Sequence, residues 1–241
     1  IDITERKKLE EALKEEAEQT SRFVSIASHE LRSPLTVLKD SIGCVMEGAA
    51  GEVTHDQKEI LTVTQRSIDR LVRLASDILD FQKATGVGMT YDRQPRDLNE
   101  VIRQVVQMER PAFEKRGLAL DFEPDDSLPP VPFDKDKIIQ VLVNLLNNAL
   151  RFTEAGSVKI TLMQKDNQVR MTVEDTGLGM KEEDMGKLFK PFARMSGEAG
   201  KRRGTGLGLS ICKEIIDAHQ GKIWAESKVG CGTSFHVILP I

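Results

Sequence analysis

Aromatic side chains are scarce in this sequence, 5% of 241 residues with a single Trp and a single Tyr, and neither sign of charge dominates. The 34 Lys and Arg face 38 Asp and Glu, for a formal net charge of −4. A chain so balanced has little electrostatic drive toward a polyanion, which argues against a dedicated nucleic-acid binder. Cysteine is rare too: Cys44, Cys212 and Cys231 are widely spaced and show no Cys-x-x-Cys or Cys/His pattern. Neither a disulfide framework nor a zinc site is expected, and the pattern suits a reducing cytosol. No run of 18 apolar residues occurs, and the first residue is Ile rather than Met. Any membrane anchor or signal peptide is therefore expected upstream of a cytoplasmic, soluble portion. Internal repeats and low-complexity segments are also lacking.

What is present divides in two. From about residue 4 to 48 the chain is rich in Glu, Lys, Ala and Leu, and Ala27, Leu31, Leu35, Leu38, Ile42 and Val45 recur at helical spacing. After "EGAAGEVTHD" a second stretch places Leu61, Thr64, Ile68, Leu71, Ala75 and Ile78 on a heptad seam. Two long helices about a short Gly-containing turn predict an antiparallel hairpin, and a lone hairpin cannot cover both its apolar stripes. A second copy across a two-fold axis completes a four-helix bundle, so a homodimer is expected.

Around "KATGVGMT" the periodicity stops and glycines appear, which reads as a hinge. Beyond it, "DLNE" caps a helix running to about Arg116, Asp134 caps a helix over 135–152, and "SVKITLMQ" and "QVRMTVED" alternate like antiparallel strands. A short helix near 181–188, a helix over 205–219 and strands in "GKIWAES" and "SFHVILP" complete an α+β sandwich. The expected division is 1–20 as a signalling helix, 21–86 as the hairpin, 87–92 as the hinge and 93–241 as the second domain.

"SIASHELRSPLTVLKD" interrupts the first helix with chemistry that a bundle does not need. With Ala27 and Leu31 taken as core-facing, His29 points to solvent and shares that face with Ser33 at i+4. Pro34 removes the N–H that would bond the Glu30 carbonyl and bends the helix just past the histidine. A neutral imidazole carries a lone pair, and an adjacent carboxylate can take the proton from its other nitrogen, which casts His29 as a nucleophile and Glu30 as its base. An exposed His beside a Glu on a charged helix is also ordinary surface, so this segment leaves both readings open.

The second domain holds four patches in a telling order. "NLLNNALRF" puts Asn144 and Asn148 at i and i+4, where both amides can offer oxygens to a hard cation or its waters. In "EDTGLGM", Asp175 can accept from an exocyclic amine, while Gly177 and Gly179 allow backbone to approach a flat ring. "FKPFAR" follows, and then "GTGLGLSI" opens a helix whose free N–H groups suit phosphates. Together they suit a nucleoside triphosphate, although each alone has a purely structural reading as a cap, a turn or close helix packing.

In order, "HELRSPL", "NLLNNA", "DTGLG", "FKPF" and "GTGLGL" resemble the motifs of bacterial sensor histidine kinases. The resemblance runs from about residue 20 to the end. It implies a dimerisation and histidine phosphotransfer hairpin followed by a GHKL-type ATP-binding sandwich. By this resemblance His29 is the phosphoacceptor and Glu30 its base, Asn148 binds Mg²⁺ bridging the ATP phosphates, and Asn144 supports it. Asp175 reads the adenine amine, Gly177 and Gly179 line the base pocket, and Gly204, Thr205, Gly206, Leu207 and Gly208 cradle the phosphates. Residues 190–203 are the expected ATP lid. The implied partners are a second copy, a response regulator receiver domain and an upstream sensor, which the PAS-like start "IDITERKKLEEAL" suggests.

Three positions depart from the family pattern. Arg151 stands where Lys is usual, keeping the charge but not the compact ammonium head, and Phe152 stands where Tyr is common. Ser33 stands where Thr or Asn is linked to dephosphorylating the regulator, so kinase activity is the safer expectation than phosphatase activity. The sequence leaves two alternatives, a GHKL-type ATPase or clamp and a catalytically silent dimerisation scaffold. Related hydrolases carry a Glu at the position of Asn144, and an amide cannot serve as a general base.

Overall fold

The computed structural model describes residues 27, 31, 33–85, 91–193 and 205–241. His29, Glu30, Gly204, the signalling helix over 1–20, most of the hinge and most of the lid segment lie outside the described residues. The chain divides into two compact units, Ile1–Met89 and Thr90–Ile241.

In the first unit, helix α1 (33–46) runs into a turn at 47–51, and helix α2 (His55–Thr85) returns. Thr54 and Gln57 cap α2 reciprocally: the Gln57 N–H donates to the Thr54 hydroxyl at 3.3 Å and the Thr54 N–H to the Gln57 side chain at 3.0 Å. Ile68, Ala75 and Leu79 are buried, whereas Ile60, Val63 and Leu71 remain 67%, 61% and 49% exposed. α2 therefore carries two apolar stripes, and the single seam expected from the sequence mixes them. Leu31 and Leu38 on the first helix are likewise more than half exposed within one chain, at 58% and 52%. One partner helix covers only one stripe of an α-helix, so the second stripes stay open within one chain. Lys39 pairs with Asp69 at 2.9 Å across the hairpin.

The second unit is a mixed five-stranded sheet with helices on one face. Its elements are β1 (Gln94–Arg96), α3 (Leu98–Glu114), β2 (Ala119–Glu123), β3 (Val131–Phe133), α4 (Lys135–Phe152), β4 (Ser157–Lys165), β5 (Gln168–Asp175), α5 (Glu182–Met185), α6 (Gly208–Ala218), β6 (Lys222–Lys228) and β7 (Gly232–Pro240). The sheet order is β2-β4-β5-β7-β6, with β2 parallel to β4 and every other pair antiparallel. β1 and β3 form a separate two-stranded ribbon. α3 packs on β2, α4 on β4 and β5, and α6 on β6 and β7.

The caps read from the sequence are in place. Asp97 accepts from the N–H groups of Asn99 and Glu100, and Asp134 from those of Asp136 and Lys137. α4 turns Ile138, Val141, Leu142, Leu145, Leu146 and Ala149 onto one buried face. Each of the larger side chains there contributes about 1.5–3 kcal/mol by leaving water. His219, beyond α6, is 1% exposed. Its Nδ1 lies 2.7 Å from the Ile215 carbonyl and so carries the proton, leaving Nε2 to accept from the Asp134 N–H at 3.0 Å. This imidazole ties the end of α6 to the start of α4.

Candidate functional site

The burial of α4 sets the site. Asn144, Asn148 and Arg151 follow one another at spacings of four and three, which puts them on one stripe at the edge of the buried face, and all three are half-buried. The Asn144 amide donates to the Gly208 carbonyl at 3.4 Å and also bonds the buried Cys212 thiol. Burial pushes that thiol up to about 12, so Cys212 stays protonated. A Cβ on Gly208 would sit 3.4 Å from the Asn144 side-chain oxygen, so the first turn of α6 lies directly against this asparagine.

At the other end of α4, the loop after β5 closes on the helix terminus. The Leu178 N–H donates to the Phe152 carbonyl at 3.1 Å, and the Gly230 N–H donates to the Leu178 carbonyl at 2.8 Å. Gly177 and Gly179 are required here by close backbone approach. A Cβ on Gly177 would fall 2.6 Å from the Phe152 carbonyl oxygen, and one on Gly179, at φ +65, would enter the Lys228 carbonyl. The Arg151 guanidinium lies 5.9 Å from the centre of the Phe152 ring.

Asp175 ends β5 at 5% exposure, with Oδ1 accepting from the Gly177 N–H at 2.8 Å and the Thr233 N–H also directed at the carboxylate. Burial pushes its pKa up, and those two N–H groups pull it partly back. The sequence reading did not single out Thr233, Ser227 or the "GCGTSF" turn that delivers them. A glycine-flanked turn entering a strand was the available signal, but only the strand pairing reveals that Thr233 stands opposite Asp175.

Residues 205–208 lead into α6. Gly206 sits at φ +77, its carbonyl accepts the Phe192 N–H at 3.0 Å, and a Cβ there would lie 2.8 Å from the Ala193 carbonyl oxygen. The Thr205 hydroxyl accepts from the Leu207 N–H at 3.3 Å. α6 begins at Gly208, later than expected, and Leu207 provides no side-chain cap, in contrast to the aspartates on α3 and α4. Among the described residues no side chain caps its first N–H groups, which suit an anion. Between Asn144 and Phe152 α4 rises ~12 Å, enough to separate a base from a phosphate chain. Among the described residues no group of His, Cys, Asp and Glu is placed to hold a metal ion. A divalent ion would have to be shared between an asparagine oxygen and ligand phosphates, a donor set suited to Mg²⁺.

The fold defines a chain with a helical hairpin and an α+β sandwich. Residues 133–241 match the histidine kinase-, DNA gyrase B-, and HSP90-like ATPase family, and residues 19–86 match the His Kinase A (phospho-acceptor) domain. The adaptive-response sensory kinase SasA of Synechococcus sp. (strain JA-2-3B'a(2-13)) is 31% identical over 232 residues, covering 95% of this chain and 61% of that protein. The crystal structure of full-length ShkA in complex with AMPPNP superposes with a TM-score of 0.74 at 28% identity, covering 91% of this chain and 45% of ShkA. That of histidine kinase ThkA in complex with response regulator TrrA gives 0.67 at 30% identity, covering all of this chain (100%) and 68% of ThkA. The chain belongs to the bacterial sensor histidine kinase family.

Proposed function

We propose that this chain is the autokinase portion of a two-component sensor, transferring the γ-phosphoryl group of ATP to His29 and then to an Asp of a response regulator receiver domain. The observation that carries the reading is the Asn144 side chain set against the first turn of α6, in a chain that also holds a buried Asp175 at the end of β5 and the "HELRSPL" segment. In the transfer, one imidazole nitrogen of His29 bonds to the γ-phosphorus as the bond to the bridging oxygen breaks and ADP leaves. The proton on the other nitrogen passes to Glu30. Asn148 would hold Mg²⁺, which supplies charge neutralisation at the phosphates. The amide at position 144, engaged with Gly208 and Cys212, leaves no base to activate water there, which disfavours the ATPase alternative.

A second copy is the natural cover for the open stripe of Ile60, Val63 and Leu71. Response regulator and upstream sensor partners rest on family membership, and phosphatase action on the regulator rests on Ser33, which is exposed. Incubation with γ-labelled ATP should give an acid-labile, alkali-stable label. His29→Gln should abolish the label with ATP binding intact, and Asn148→Asp should impair Mg²⁺-dependent binding. Label persisting in the His29 variant would overturn the phosphoacceptor assignment, and normal affinity in the Asn148 variant would overturn the metal assignment.

A further inference from the structure

The register of the sheet lines up one row of side chains across four strands. Val158 of β4 stands opposite Asp175 of β5, Asp175 opposite Thr233 of β7, and Thr233 opposite Ser227 of β6. Directly opposed residues share a face of the sheet, so Asp175, Thr233 and Ser227 all project toward the helix-covered side. Asp175 and Thr233 are 5% and 7% exposed. Ser227 belongs to no motif read from the sequence, yet three groups converge on its hydroxyl. It accepts from the Met180 N–H at 2.9 Å, donates to the Gly232 carbonyl at 2.8 Å, and lies 2.9 Å from the Thr233 hydroxyl.

A hydroxyl has one proton and two lone pairs. The Gly232 carbonyl can only accept, so it takes the proton of Ser227, and the Met180 N–H takes one lone pair. What remains for Thr233 is the second lone pair, and the Thr233 hydroxyl must therefore donate to Ser227. Its proton spent, Thr233 offers lone pairs alone to anything lying beside Asp175. An ionised Asp175 likewise offers only acceptors. The pair matches a 6-amino group lying against its oxygens and mismatches a 6-oxo group in the same place.

Building on the nucleotide reading above, we infer that Ser227 is a positioning residue for base selection. By consuming the hydroxyl proton of Thr233 it keeps the Asp175–Thr233 pair acceptor-only, so the pair takes the 6-amino group of a 6-aminopurine and rejects the oxygen of a 6-oxopurine. Without Ser227 the Thr233 hydroxyl is free to turn and donate to a 6-oxo group, while Asp175 still disfavours it.

The test compares β,γ-imido forms of ATP and ITP with Mg²⁺ by calorimetry on the full chain, for wild type, Ser227→Ala and Ser227→Thr. Wild type should prefer the adenine nucleotide. Ser227→Ala should narrow the ATP-to-ITP affinity ratio about tenfold, the scale of one mismatched hydrogen bond, and Ser227→Thr should restore it. General loosening of the cleft would weaken both nucleotides alike and leave the ratio unmoved. An unchanged ratio in Ser227→Ala overturns the inference while leaving nucleotide binding in place, whereas failure of wild type to bind either nucleotide overturns the nucleotide reading itself. A Thr233→Val background supplies an independent check that does not depend on the fold tolerating a single variant. There Ser227→Ala should no longer alter the ratio, and a full effect persisting without the Thr233 hydroxyl would also overturn the inference.

Discussion

At the scale of single residues, His219 shows how one buried imidazole holds α4 and α6 together. Its Nε2 accepts the Asp134 N–H while Nδ1–H is committed to Ile215, so the ring functions only when neutral. Burial holds its pKa below the ordinary histidine value, reinforced by Arg93 and opposed by the Ile215 carbonyl and Asp134. The unfolded chain therefore binds a proton at a pH where the folded chain does not. The stability this site contributes is complete above the unfolded value, near about 6.5, and drains away as the pH falls from there toward the folded value. His236 is shifted the same way, chiefly by burial, and adds to the same slope. His219→Gln should cost about 1–3 kcal/mol at neutral pH through the disturbed Asp134 contact. It should also shrink the difference in melting temperature between about pH 5.5 and about pH 7.5. If calorimetry finds the full wild-type pH dependence in that variant, His219 is not its source.

At the scale of elements, α4 is the spine of the site, since its Asn144 end meets α6 and its Phe152 end meets the loop after β5. The sequence shows this helix plainly. Its cap, its 3.6-residue periodicity and the asparagines at its edge are all local signals, as are those of β4, β5 and β7. β2 escaped notice because its five residues alternate Leu120 and Phe122 with Asp121 and Glu123 and follow a turn at Gly117. Only pairing with β4 makes so short and acidic a segment a strand. The β6–β7 turn shows the same dependence on distant backbone. Gly179→Ala should drive a Cβ into the Lys228 carbonyl, costing more than the about 1–2 kcal/mol of a left-handed residue alone and weakening nucleotide affinity. Gly230→Ala, with open space around its Cβ, should cost only about 1 kcal/mol and leave affinity intact. Equal melting temperatures for the two variants would show that the loop yields and that close approach is not what fixes Gly179.

At the scale of the whole molecule, the hairpin is the incomplete part. Its inner stripe buries Ile68, Ala75 and Leu79, while Ile60, Val63 and Leu71 are left facing water. Burying an exposed Leu or Val is worth about 1.5–3 kcal/mol apiece, so a second copy gains most by docking here. Leu71→Glu should convert a dimer into monomers in sedimentation analysis, with nucleotide binding in residues 90–241 unaffected. A dimer of undiminished stability in that variant would place the interface elsewhere. The sequence pattern made the hairpin and the need for a partner legible. It did not separate the two stripes, because on a helix apolar at both inner and outer seams a heptad can be drawn through either.

The sequence alone determined the local elements, from caps and periodicity set by neighbouring residues, and the motif order that marks the family. Tertiary structure alone decided the cross-sheet row of Asp175, Thr233 and Ser227, the strand identity of β2 and the backbone contacts that demand glycine at 177 and 179. Hydrogen-bond direction and close approach depend on which strands become neighbours, and that pairing joins residues more than 50 positions apart in the chain, as Asp175 and Thr233 are.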